Sequence, residues 1–134
     1  MKFSTKTTYG LRAMICLGRN WQLGDLSLAE IAQREKISLS YLEQLFAKLR
    51  QAKLVVGSRG SGGGYQLSRG PEDVSVFEII SALEGEAELF YCLAENGKIH
   101  CSADCHCGVN LVFKKTNEAL KKALTDLTLN KLLS

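Results

Sequence analysis

"SLAEIAQREKISLSYLEQLFAKLR", from Ser27 to Arg50, is the stretch whose reading decides the fold. Its first part, "SLAEIAQRE", opens on Ser27 followed three residues later by Glu30, the spacing of a capping box. Leu28, Ile31 and Ala32 then fall on one helical face. The short break "KIS" leads into a second helix, where Ser40 and Glu43 repeat the capping spacing. Leu42, Leu45, Phe46 and Leu49 form its apolar stripe. Two short helices joined by a tight turn predict a helix-turn-helix. The opposite face of the second helix carries Ser40, Gln44, Ala47 and Gln51, flanked by Glu43, Lys48 and Arg50. It is rich in hydrogen-bonding groups and light on bulk, which suits a helix that reads base edges. Taken alone, such a face also fits any solvated amphipathic helix.

The residues downstream favour the first reading. "LVVGSRGSGGGYQLSR", residues 54–69, reads as strand, glycine-rich turn and strand. A hairpin directly after a helix-turn-helix predicts a winged helix. Arg59 and Arg69 place positive charge on the wing, where an arginine can follow phosphates or enter a minor groove. The glycines do not form a nucleotide-binding loop, because no Gly-Lys-Ser/Thr follows and they do not open a helix. Upstream, Leu11, Met14, Ile15 and Leu17 predict a helix over residues 7–20, ended by "NWQLGDL". Within it Cys16 reads as a buried structural thiol, and Tyr9, like Trp21 just beyond, as a packing residue. Downstream, Ser75 and Glu78 give a third capping box, and Phe77, Ile80 and Leu83 mark a connector helix packed on the winged unit.

Charge divides the 134 residues in the same way. Residues 1–70 hold eleven Lys/Arg and four Asp/Glu, whereas residues 71–134 hold six Lys and ten Asp/Glu. A basic half suits a polyanion, and here it coincides with the winged helix. No apolar run reaches the length of a membrane helix. The basic start "MKFSTKTTYGLRAMICLG" is interrupted by Arg12 and lacks a small-residue cleavage site, so a signal peptide is not expected. The expected compartment is the cytoplasm. No nucleophile–base pair or paired carboxylates suggest an enzyme, and no small-molecule substrate is expected.

Residues 85–108 show no clear period and contain four of the five cysteines: Cys92, Cys101, Cys105 and Cys107. His100 and His106 lie among them, while Glu84, Glu86 and Glu88 read as a solvated face. A structureless stretch of that length points to function. In a reducing compartment, clustered cysteines more often bind metal or sense redox state than form disulfides. Thiolates with histidine suit an iron–sulfur cluster, and four cysteines also suit zinc. Spacing alone leaves metal site, thiol switch and structural thiols open. From about residue 109 to 127, Val109, Val112, Phe113, Thr116, Leu120, Ala123 and Leu127 line one side of a long amphipathic helix. Such a helix at the end of a small DNA-binding unit is expected to pair with its twin in a homodimer. Packing on its own domain is the alternative.

The chain resembles the IscR/NsrR/CymR type of winged-helix transcription regulators, from "TTYGLRAM" to the closing "LTLNKLL". "ISLSYLEQLF", "KLR" and the "RG", "GGGY" pattern of the wing carry the likeness. The resemblance implies a mainly α fold with a small β-hairpin wing and a dimer-forming C-terminal helix. It implies double-stranded DNA as partner, contacted by Ser38, Ser40, Tyr41, Glu43, Gln44, Lys48, Arg59 and Gly60. Ser40, Glu43 and Gln44 would read bases, and Arg59 would enter the minor groove. It also implies a 2Fe-2S or 4Fe-4S cluster, the former favoured, on Cys92, Cys101 and Cys107. Where the family places a histidine ligand this chain has Asn110, a poor iron ligand, leaving Cys105, His106 or His100 as the fourth. Some relatives use a carboxylate from the partner's first helix, and "KFSTKTTYG" offers none. The expected organisation is a winged unit with connector over 1–84, a cluster-binding loop over 85–108 and a dimerisation helix with C-terminal segment over 109–134. The competing reading is a zinc- or thiol-based redox-sensing adaptor that acts with a metabolic partner protein.

Overall fold

The computed structural model describes residues 3–58, 63–85 and 108–134; the side chains of residues 109 and 110 are outside the description. Helix α1 spans Thr5–Arg19, α2 Leu28–Glu35 and α3 Leu39–Gln51. Strands β1 (Val55–Ser58) and β2 (Gly64–Leu67) follow, then a 3-10 turn at Pro71–Asp73 and α4 at Val76–Glu84. The last elements are α5, Gly108–Asp126, and a 3-10 turn at Leu129–Leu132. This is a winged helix-turn-helix, mostly helical, as the sequence predicts.

Local chemistry sets the boundaries. Ser27 and Glu30 close their capping box, as do Ser75 and Glu78. The box predicted at Ser40 and Glu43 does not form. Ser38 is the N-cap instead, and its hydroxyl accepts from the Tyr41 amide at 3.3 Å. The helix starts one residue before Ser40, so the position three past its cap is Tyr41, which has no carboxylate to reach back. Ser40 and Glu43 are thereby left exposed. The turn between α2 and α3 is made by Lys36 in the left-handed region (φ 55°), while Ile37 is anchored in the core.

The core lies where α1, α3 and α4 meet. Ala13, Met14, Leu42, Phe46, Leu49, Ile79 and Leu83 are each 0% exposed. Gly10 lets α1 and α4 approach closely, since a Cβ there would stand 2.1 Å from Cδ1 of Leu83. In the wing, Val55 pairs with Leu67 and Ser58 with Gly64 in antiparallel register. Leu26 adds a further rung, exchanging two backbone hydrogen bonds with Tyr65 at 3.0 and 2.8 Å. Gly64 is required by this crossing, because a Cβ there would meet the Asp25 side chain at 2.8 Å.

The chain closes on itself through its C-terminal end. Leu129 is fully buried, the Val76 amide donates to the Leu127 carbonyl at 2.8 Å, and the Leu129 amide donates to the Val74 carbonyl at 2.7 Å. Residues 127–133 therefore complete the winged unit's core. Cys16 is buried, as expected, and burial together with the nearby Glu35 carboxylate pushes its thiol above the usual range.

Candidate nucleic-acid interface

Ser38, Ser40, Glu43 and Gln44 are all exposed on the N-terminal half of α3. They sit together because Leu42, Leu45, Phe46 and Leu49 turn the other side of the helix into the core. Ser40 and Gln44 line a groove that also takes in Thr5 and Tyr9 of α1. Tyr41 is half-buried, its ring edge-on to Tyr9 with centroids 5.8 Å apart, so it wedges α1 against α3. The Arg12 guanidinium lies 5.7 Å over the Tyr9 ring and pairs with Glu35 at 3.2 Å.

Lys48 does not join this face. Its ammonium donates to the Leu83 carbonyl at 3.1 Å, on the α4 side of the helix. Arg69 is likewise committed within the protein: its guanidinium pairs with Glu78 and donates to the Asp73 carbonyl at 2.8 Å. Arg59 and Gly60 lie outside the described residues, as do Cys92, Cys101, Cys105, Cys107, His100 and His106. Among the described residues, no cluster of three His, Cys, Asp or Glu could hold a metal ion.

Glu84 is exposed, as expected, but it also joins two helices. Its carboxylate accepts from the hydroxyls of Ser4 and Thr7, the latter at 2.6 Å. Helix α1 has no acidic residue in its first turn, and Ser4 makes no side-chain cap. Glu84 brings a negative charge to that helix N-terminus from 80 residues away, complementing its dipole. The last turn of α4 is thus held by α1 through Glu84 and by α3 through the Leu83 carbonyl. The parts that sequence reading missed, Thr5 and Tyr9 at the groove and Glu84 behind it, depend on contacts between distant segments and leave no local signal.

No helix among the described residues is long and apolar enough to cross a membrane. The profile of the Rrf2 family, described as iron-dependent transcriptional regulators, matches residues 3–134. The transcriptional regulator IscR of Aliivibrio salmonicida is 36% identical over 99% of this chain and 77% of its own length. Across eight curated relatives the chain spans 59% to 87% of their lengths. The structure of IscR from T. potens superposes with a TM-score of 0.78 at 36% identity, over 99% of this chain and 86% of that one. CymR of B. subtilis, a global cysteine regulator, superposes with a TM-score of 0.82 at 34% identity, over 99% and 96%. These relatives are transcription regulators rather than enzymes. The winged helix, the exposed polar face of α3 and the end-to-end match agree: this chain is a DNA-binding transcription regulator of the Rrf2 family, of the IscR/CymR type.

Proposed function

We propose that the protein is a homodimeric regulator whose hold on double-stranded DNA is modulated by an iron–sulfur cluster. The observation that carries this reading is the position of the last turn of α4. It borders the four-cysteine segment and is bonded to both α1 and α3, the helices that line the groove at the DNA face. Ser38, Ser40, Glu43 and Gln44 would meet the major groove, with Ser40, Glu43 and Gln44 reading bases. Tyr41 would hold α1 against α3, Lys48 would tie α3 to α4, and Arg59 and Gly60 of the wing would meet the minor groove.

The donor set fits such a cofactor. Cys92, Cys101 and Cys107 would be three ligands, with Cys105, His106 or His100 supplying the fourth in place of the residue at Asn110. The cluster would supply a redox- and iron-sensitive charge and a cross-link between distant thiolates. A 2Fe-2S form is favoured by likeness to IscR. A rearrangement of residues 85–108 bears first on Leu83 and Glu84. Through Lys48 and Thr7 it biases how α1 and α3 present their groove. DNA sequences that prefer one arrangement then bind that state more tightly, which is linkage between two sites.

A second reading has its own support. The match to CymR and the Asn110 substitution favour a zinc- or thiol-based regulator that acts with a partner protein in the cytoplasm. An anaerobic absorption spectrum, with iron and acid-labile sulfide assays on the same sample, separates the two. Coloured protein with comparable iron and sulfide is expected. Protein that stays colourless after reconstitution, with bound zinc or oxidisable thiols, would establish the second reading.

A further inference from the structure

The crease between α3 and the wing holds a cation that no described residue neutralises. Arg50 is exposed on the C-terminal half of α3, and its side chain makes no hydrogen bond or ion pair among the described residues. This sets it apart from Arg12, Arg69 and Lys48, each bonded to a protein acceptor. Arg50 lines two adjoining grooves. One is bounded by Leu28, Ser58 and Tyr65, and the other by Glu43, Ala47 and Tyr65. Tyr65 is fixed there on three sides: by its backbone bonds to Leu26, by pairing with Gly57, and by ring contact with Phe46 at 5.0 Å. Its hydroxyl makes no hydrogen bond among the described residues. Glu43 lines the same crease but lies two helical turns away, about 10 Å along the axis.

We propose that Arg50 and the Tyr65 hydroxyl form a backbone-phosphate site between the recognition helix and the wing. The assignment rests on the DNA-binding reading and adds a contact set to it. When α3 lies in a major groove and the wing meets the neighbouring minor groove, the strand separating the two grooves runs beneath this crease. A guanidinium presents a planar fork of donors that matches phosphate oxygens, and a phenol adds a neutral donor. Leu28 and Tyr65 flank the guanidinium on either side of the crease. Such a contact positions the protein on the duplex and carries no sequence information.

The test uses full-length protein in whichever metal state the wild type binds DNA best. Binding is measured by fluorescence anisotropy on a duplex selected by wild type from a random pool, and on an unrelated duplex, across a salt series. Arg50→Ala is expected to lose on the order of tenfold on both duplexes, with the salt slope reduced by about one per protomer. Arg50→Lys keeps the slope and recovers part of the affinity. Tyr65→Phe loses roughly two- to fivefold without changing the slope. Methylphosphonate substitution, one position at a time, is expected to find one phosphate per half-site whose neutralisation weakens wild type but not Arg50→Ala. Because Arg50 is exposed, the variant's thermal midpoint stays near that of wild type, so a fold defect is recognisable. An unchanged slope in Arg50→Ala, or a loss on the selected duplex only, would overturn the assignment. Wild type that binds neither duplex would overturn the DNA-binding reading itself.

Discussion

Helices α3 and α5 are amphipathic to nearly the same degree, yet they end in different surroundings. In α3 the apolar stripe disappears: Leu42, Leu45, Phe46 and Leu49 are at most 2% exposed. In α5 no described side chain is fully buried, and Leu111 and Val112 are 60% and 61% exposed. The sequence pattern of each announces a face that water disfavours. What covers that face differs. Around α3 the chain itself supplies α1, α2, α4 and the wing. Around α5 it supplies α4, where Lys121 lies 5.3 Å over the Phe77 ring, and the anchor just beyond the helix at Leu127 and Leu129. Near the start of α5, Leu111 and Val112 remain largely exposed. An amphipathic pattern thus specifies that burial will occur, and topology decides whether the same chain or a second one provides it.

The comparison is broken most sharply at the anchor of α5. Leu129→Ala removes a fully buried side chain from the junction of α1, the 71–74 turn and the C-terminal segment. It should cost about 2–5 kcal/mol in urea unfolding monitored by circular dichroism. A loss below about 1 kcal/mol would mean that the C-terminal end is an appendage rather than part of the winged unit. The opposite substitution is made at the other end of the helix. Changing Leu111 and Val112 together to Ser should leave the winged unit folded and weaken self-association by roughly tenfold, about 1.4 kcal/mol, in sedimentation equilibrium. If dimerisation is unaffected, the exposed end of α5 is not the contact between copies.

The smallest effect sharpens the role of α4. At Glu84, burial raises the carboxyl's pKa, but the Ser4 and Thr7 hydroxyls, the Ser4 amide and the Lys6 charge outweigh it and hold the group below the usual carboxylate range. At Glu78, burial is outweighed in the same way by the Ser75 amide, the Arg69 guanidinium and the Ser75 hydroxyl. A carboxyl depressed in the folded state binds fewer protons there than in the unfolded chain. Its contribution is present above the unfolded value, near about 4.3, and is lost as pH falls through the folded value. Glu84→Gln should therefore flatten the acid limb of the stability–pH curve and lower stability slightly at neutral pH. Solvent exposure keeps this a fraction of a kcal/mol. A curve of unchanged shape would show that Glu84 does not hold α1 in solution.

Much of this was legible in the residues. Ser27 with Glu30 and Ser75 with Glu78 mark helix starts because capping is chemistry between neighbours three residues apart. The stripe from Leu42 to Leu49 marks the buried side of α3 because helical geometry repeats locally. The misplaced box at Ser40 and Glu43 has a local cause as well: two serines two residues apart compete for the cap, and Ile37 settles the contest by anchoring the turn in the core. On α1, Met14, Cys16 and Leu17 are buried as expected, but Ala13 is buried as well while Leu11 and Ile15 are only half-buried. Side-chain hydrophobicity alone does not register that Gly10 brings α4 close to one side.

By itself, then, the sequence determined the winged helix, the exposed polar face of the recognition helix and the charge asymmetry. All three follow from interactions between near neighbours or from composition. Only the tertiary structure decided the rest: that Lys48 ties α3 to α4, that Glu84 serves a helix 80 residues upstream, that Leu129 closes the core, and that Arg50 shares a crease with Tyr65 and has no partner among the described residues. Each of these depends on which distant segments the packed core brings within a few ångströms, and no local pattern of residues encodes that distance.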